Sequence, residues 1–269
     1  MAGNAVEATI SRARRKLIEL HYERKTGHLG GSLSCLDVLH ALFDNVIGSE
    51  DFFVLSKGHA ASALYVTLWS YGHLDEKALD TYYVDGTTLC GHVSCREAWV
   101  PFGTGSLGHG LSLAAGLSLG KKLKKEQGTV FCLCSEGEFQ EGSTWEALIF
   151  SIHHKLNNLR ILVDVNGWQG FGSTLETASQ DLMVLKKRIS SFGFPTSICD
   201  GHDCESIGNY LKNQEDRALP TVLLMETCKG KGAPPLEGTF ISHYAKLTKH
   251  EYDETMRQYE DDSHERGIC

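Results

Sequence analysis

Proline is scarce in this chain, with five in 269 residues. No stretch rich in proline, glycine and serine divides the sequence, so nothing marks an internal domain boundary. Long apolar runs are also missing. None approaches the roughly 20 residues of a membrane span, and the N-terminus, MAGNAVEATISRARRKLIEL, has no apolar signal core. Arg12, Arg14, Arg15 and Lys16 fall within an amphipathic helical pattern and read as a solvated face, not a targeting peptide. Positive charge is in deficit: 26 Lys and Arg against 34 Asp and Glu give a net charge of −8. With no basic stripe, neither nucleic acid nor an anionic membrane is expected as a partner. The nine cysteines follow no disulfide-framework spacing. Cys35, Cys132 and Cys134 sit in apolar runs and read as reduced, mostly buried thiols of a cytoplasmic protein. Cys132-x-Cys134 alternates with Phe131 and Leu133, as strand residues do, which argues against a metal or redox role.

What is present points to one α/β domain over 1–269, with 245–269 as a charged helical tail. Apolar periodicity near 3.6 predicts a helix over Val6–Tyr22, and Ser34 is placed to cap another over Leu36–Phe43. Asp51–Ser56 reads as a short buried strand and Ala60–Tyr71 as a helix. Beyond Gly128 the rhythm is regular. Strands are expected at 129–135, 159–166, 195–200 and 220–227, with helices at 141–156, 182–192 and 204–213. Such alternation predicts a parallel sheet with helices on both faces. Ligands of these sheets bind at the carboxyl ends of the strands.

Within FGTGSLGHGLSLAAG (102–116), Gly103, Gly105 and Gly108 spell the dinucleotide pattern G-x-G-x-x-G. That fingerprint needs a buried strand before its first glycine, whereas Pro101 cannot donate to a central ladder. Glu126 lies at about the right distance for a ribose-binding acid, but it follows four lysines at an exposed helix end. A P-loop fits no better, since GLSLGKK is one residue short and lacks the Ser or Thr for Mg²⁺. The stretch therefore reads only as a glycine turn opening a helix, where backbone approaches a ligand closely.

The strand ends carry more. SEGEFQEG follows the strand at 129–135, and VDVNGWQG ends the one at 159–166, with Asn166 thirty positions beyond Glu136. Adjacent parallel strands would set these two side by side. A carboxylate, an amide oxygen and a nearby main-chain carbonyl are hard ligands, suited to Mg²⁺ or Ca²⁺ against a diphosphate. Glu138 and Glu141 lie in the same turn region. His28, His59 and His92 each sit beside glycine in loops and, with His243, are candidates to converge on one ligand. His40, His73, His109, His153, His154, His202, His250 and His264 read as structural.

Seven ordered blocks carry a resemblance: TGHLGGSLS (26–34), LSKGHAASALY (55–65), CGH (90–92), TGSLGHGLS (104–112), EGEFQEGSTWEA (136–147), HHKLNNLRILVDVN (153–166) and KGKG (229–232), followed by His243. Together they resemble the diphosphate-binding half of transketolase, a thiamine-diphosphate enzyme, and most of all its split form built from two polypeptides. The resemblance implies that Glu136, Asn166 and the carbonyl of Trp168 ligate Mg²⁺, with Ca²⁺ as the alternative. It implies that His59, Gly137 and His243 meet the diphosphate and that Gly105 and Leu107 approach the aminopyrimidine. Glu141 would belong to the cofactor-binding set. His28 and His92, with His243, would serve catalysis along the substrate channel.

Two departures qualify the likeness. The family's metal-binding aspartate is Glu136 here, and its leading glycine is Ser135. The extra methylene reaches about 1.5 Å further, so an altered metal preference or a weakened site is expected. The family's activating glutamate belongs to a second, pyrimidine-binding domain, which the resemblance to the split form implies lies on another polypeptide. A separately encoded C-terminal transketolase subunit is thus implied, in a heterotetramer with two copies of each chain. The implied reaction moves a two-carbon ketol unit from a ketose or its phosphate to an aldehyde. The alternatives are a related carboligase half in a specialised biosynthetic pathway and a non-catalytic scaffold subunit.

Overall fold

A computed structural model describes residues 2–96, 99–214 and 218–265, with side chains from 6 to 259 except at 45. Helices α1 (Ala2–Arg24), α2 (Leu29–Ser34) and α3 (Leu36–Asn45) lead into strand β1 (Phe52–Leu55), followed by α4 (Ala61–Ser70), α5 (Glu76–Leu79) and α6 (His109–Lys124). Then come β2 (Val130–Ser135), α7 (Gly142–His153), β3 (Leu159–Val165), a small hairpin of β4 (Trp168–Gln169) and β5 (Gly172–Ser173), and α8 (Thr174–Ala178). The chain closes with α9 (Leu182–Ser191), β6 (Thr196–Asp200), α10 (Cys204–Lys212), β7 (Thr221–Glu226) and α11 (Lys249–Glu265).

β1, β2, β3, β7 and β6 pair in that order, and all four pairings are parallel. Strand alternation separates two cores. Phe131 and Leu133 face the layer of α1 to α4 and α10, whereas Val130, Cys132 and Cys134 face that of α6, α7 and α9. β1, β2, β3 and β7 are largely buried and read as near-continuous apolar runs, which made them readable, whereas the edge strand β6 is half-buried. α1 buries Ile10, Ala13, Leu17 and Leu20 along one stripe. Side-chain caps fix later helices: Asp181 accepts from the Val184 N–H, and Asp203 from that of Ser206.

The expected elements form with ends shifted by at most four residues, as at the start of α1, but Ser34 does not cap α3. It closes α2, and its hydroxyl donates to the Gly31 carbonyl and to Asp164. The reading of Cys35, Cys132 and Cys134 as reduced, buried thiols holds. The eight described cysteines are free, but only Cys35, Cys132 and Cys134 are buried. Cys90 and Cys95 are exposed, and Cys269 lies outside the described residues. The expected tail is helical from Lys249, and its last positions, 266–269, also lie outside them. Among the described residues no helix is long and apolar enough to cross a membrane.

Candidate functional site

β2 and β3 run side by side with Ser135 opposite Asp164, so the segments leaving them are neighbours. Glu136 opens a 3₁₀ turn (Glu136–Gln140) and is 1% exposed. Its carboxylate accepts the Gly167 N–H and, at 3.0 Å, the Thr174 hydroxyl. Burial pushes its pKa up to about 7 against the pull of those two donors. The Asn166 amide donates toward Asp164 at 3.3 Å and Ser34 at 3.4 Å, and its oxygen accepts the Trp168 N–H at 3.1 Å. Trp168 is half-buried, its ring 6.2 Å from Phe240. Gly137 is buried where a Cβ would stand 3.2 Å from that of Gln169. The adjacency expected of Glu136 and Asn166 is therefore present. The longer acid spends its reach on the neighbouring turn and on Thr174. Among the described residues no three His, Cys, Asp or Glu side chains form a metal cage. A cation here would rely on one carboxylate with amide and main-chain oxygens.

Asp164 anchors this corner from below. It is 0% exposed, and it receives the ammonium of Lys57 and the hydroxyls of Ser34 and Thr227. Lys57, 1% exposed on its side chain, also donates to the Gly31 carbonyl at 2.8 Å. Burial alone would raise the Asp164 carboxyl, but the Lys57 charge and the donors outweigh it and hold it below its usual value. The same pairing lifts Lys57 above an ordinary lysine although burial opposes it.

Glu138 performs a second fastening that the sequence reading missed. Its carboxylate accepts the Ser135 N–H at 2.8 Å, the Gly108 N–H at 3.1 Å and the Ser56 hydroxyl. One buried acid thus ties the ends of β1 and β2 to the start of α6. The signal was available: Ser135-x-x-Glu138 is a capping box, formed here from both sides.

The glycine stretch meets this clamp. Gly108 sits at φ 81°, where a Cβ would come 2.6 Å from that of Glu141, an exposed residue at the start of α7. At Gly105 an added Cβ would lie 2.9 Å from His92. Leu107 is half-buried between them. His28, itself left-handed at φ 67°, is the hub of a histidine cluster. Its ring centre lies 5.4 Å from His59, 5.7 Å from His92 and 5.2 Å from His243. Its Nδ1 is buried without a hydrogen-bond partner.

Burial lowers all four pKa values: His59 well below its ordinary value, His243 to about 3, and His28 and His92 below theirs. At neutral pH the cluster is uncharged, so each ring offers one donor and one acceptor. Positive charge comes from Lys57 and from Lys229, which is 2% exposed. Histidines read as structural behave so: His40 meets the Tyr71 hydroxyl at 3.3 Å, and His202 bridges Asp37 at 2.5 Å and the Cys228 N–H at 2.8 Å. The side chain of His264 lies outside those described.

Residues 7–266 match the family described as transketolase, thiamine diphosphate binding domain. The chain belongs to this transketolase family. Among its relatives is an apulose-4-phosphate transketolase subunit of Phocaeicola vulgatus, 34% identical over 268 residues, covering 96% of this chain and 95% of that protein. Another is the 6-deoxy-6-sulfo-D-fructose transketolase subunit SqwG of a Clostridium species, 34% identical, with 87% and 88% covered. The solved transketolase of Campylobacter jejuni superposes with a TM-score of 0.85 at 26% identity. That match covers 95% of this chain but 43% of the solved one, so the chain spans about two fifths of a complete transketolase.

Proposed function

We propose that this chain is the diphosphate-binding subunit of a two-component transketolase, a cytoplasmic transferase that moves a two-carbon ketol unit from a ketose phosphate to an aldehyde. One observation carries the reading. The four histidines and the Glu136–Asn166 corner, scattered over more than 200 positions, meet at the carboxyl edge of one sheet. The length match to proteins that are themselves named as single subunits of a transketolase supports it. The whole of 1–269 would be a single domain.

The residues present fit thiamine diphosphate with a divalent cation. Glu136, the Asn166 amide oxygen and the Trp168 carbonyl are oxygen donors for Mg²⁺, or for the more tolerant Ca²⁺. Lys57 and Lys229 give the corner a positive field for a diphosphate held by His59, Gly137 and His243. Gly105 and Gly137 stand where a Cβ would crowd His92 or Gln169, so backbone comes close to a ligand without a side chain between. The buried, unpartnered Nδ1 of His28 is an open hydrogen-bonding position. Thiamine diphosphate supplies, when bound, the electron sink for breaking and making a carbon–carbon bond.

This chain's part is to bind, orient and move protons. His28 and His92, uncharged at pH 7, would hold sugar hydroxyls and carry protons between them, with His243 beside them. Gly105 and Leu107 would support the aminopyrimidine, with Glu141 on the same side. A separately encoded C-terminal transketolase subunit would supply the activating glutamate, in a heterotetramer of two copies of each. A second reading, a weakened metal site in a scaffold subunit, is favoured by the way Glu136 is drawn onto Gly167 and Thr174. Calorimetry of thiamine diphosphate with Mg²⁺ and with Ca²⁺, with and without the partner, separates the two. The catalytic reading expects binding with at least one metal and ketol transfer only from the two chains together. No binding with either metal would sink it, and full transfer by this chain alone would sink the two-component form.

A further inference from the structure

We propose that Lys229 is a positioning residue that locks His243 in the tautomer protonated at Nε2, so that this N–H donates into the cofactor site. The inference deepens the proposed function, in which His243 meets a diphosphate. The Lys229 ammonium stands 3.1 Å from His243 Nδ1. An ammonium has three donors and no lone pair, so Nδ1 must accept. A neutral imidazole that accepts at Nδ1 carries its one proton on Nε2.

Both states are supported by the surroundings. Burial and the Lys57 charge lower Lys229 to about 8, which leaves it mainly an ammonium at pH 7. Burial, with Lys229, His28 and Lys57 adding to it, keeps His243 uncharged.

The two partners are held independently of each other. Lys229 lies in the loop after β7, where the Gly230 N–H donates to the Gly30 carbonyl at 3.0 Å and the Gly238 N–H to the Lys229 carbonyl at 2.8 Å. His243 closes a 3₁₀ turn (Ile241–His243), and its carbonyl accepts the His28 N–H at 3.0 Å. Nε2 lies on the side of the β4–β5 turn, 3.7 Å from where a Cβ on Gly170 would stand. Trp168, whose carbonyl is the candidate metal ligand, lies in β4 of the same hairpin. A fixed N–H there suits an anionic oxygen, whereas the opposite tautomer would present a lone pair to it and repel it. Without its neighbour the ring would remain free to exchange between both forms.

The test is nitrogen NMR of the imidazoles in the full, ¹⁵N-labelled chain at pH 7, with the His243 signals assigned by their loss in His243→Gln. It needs neither cofactor nor partner, so it is decided separately from ketol transfer. The expected result is an unprotonated, hydrogen-bonded Nδ1 and a protonated Nε2. Lys229→Met should move the Nδ1 resonance to that of a free acceptor and let the Nδ1–H form appear, and Lys229→Arg should keep the wild-type pair. A protonated Nδ1 in the wild-type chain overturns the proposal, even if Lys229→Met fails to fold. So does an Nδ1 resonance that ignores Lys229→Met.

Discussion

Lys57→Met takes the ammonium from an ion pair whose side chains are 1% and 0% exposed. Asp164 then stays buried as a carboxylate with the Ser34 and Thr227 hydroxyls and the Asn166 amide. The Gly31 carbonyl loses one donor and keeps the Ser34 hydroxyl at 3.1 Å. Removing one member of a buried pair costs about 3–5 kcal/mol. The surviving donors around Asp164 argue for the lower half of that range, and the methionine stem replaces most of the lost volume. A drop of about 3 kcal/mol is expected, roughly 6 °C in Tm for a chain of this size.

The assay is urea unfolding at pH 7 with a check that the slope m is unchanged. The pH dependence has a definite sign. The depressed Asp164 pKa contributes stability above its ordinary 3.8, lost as pH falls through the lower folded value. In the variant, burial without the lysine raises that pKa, so its folded state takes up a proton sooner. The gap between wild type and variant is therefore widest near neutrality and narrows toward pH 4. A loss below about 1 kcal/mol at pH 7, or a gap that widens in acid, refutes the assignment of this pair as the anchor.

Three further outcomes follow from the structure. Gly110→Ala would set a Cβ 2.4–2.5 Å from Ser56 Oγ, Cα and Cβ. The overpacking, about 1–3 kcal/mol, should outweigh the ~1 kcal/mol that alanine adds to a helix, and a Tm at or above wild type contradicts this. Glu136→Asp retreats by about 1.5 Å from Thr174 and should move cation preference toward Mg²⁺. Calorimetry with thiamine diphosphate checks it, and an unchanged preference counts against Glu136 as a ligand. His21 and His40 are 2% and 0% exposed and lowered to about 4 by burial. Each binds fewer protons folded than unfolded, so stability present above pH 6.5 is lost on acidification, about 2 kcal/mol per residue at pH 5. Equal urea midpoints at pH 7 and 5 would show that these rings protonate in place.

The parallel strands were legible because burial on both faces leaves runs such as VFCLCS with little polar content. The Glu136–Asn166 corner was legible because neighbouring strands put their ends together. α2 was not. Its LGGSLS contains two glycines and no periodic stripe, and tertiary contact holds it instead. A Cβ on Gly30 would lie 2.3 Å from Ser242, and one on Gly31 3.3 Å from His59. Ser34 looked like a cap because hydroxyls favour helix starts, yet its partner is an acid 130 positions away. Asp164 itself was a readable warning. A carboxylate inside the mostly apolar LRILVDV, four residues from the strand's one other charge at Arg160, demands a buried partner, and sequence cannot say that it is Lys57. The capping box around Glu138 was equally readable, but its Ser56 and Gly108 partners depend on the tertiary fold.

The Glu138 fastening has a consequence for how such a domain tolerates change. The carboxylate grips three points on the chain, at 56, 108 and 135, and is indifferent to the length of what runs between them. Added length in a surface loop costs only about 0.6 kcal/mol per doubling. Within the segment from 71 to 107, which carries His92, Leu79, Tyr82, Leu89, Val93 and Val100 are buried in the core, so added length fits only its exposed turns, such as 83–86, while the Glu138 fastening stays in place. Diversification of the rim is thereby separated from preservation of the floor.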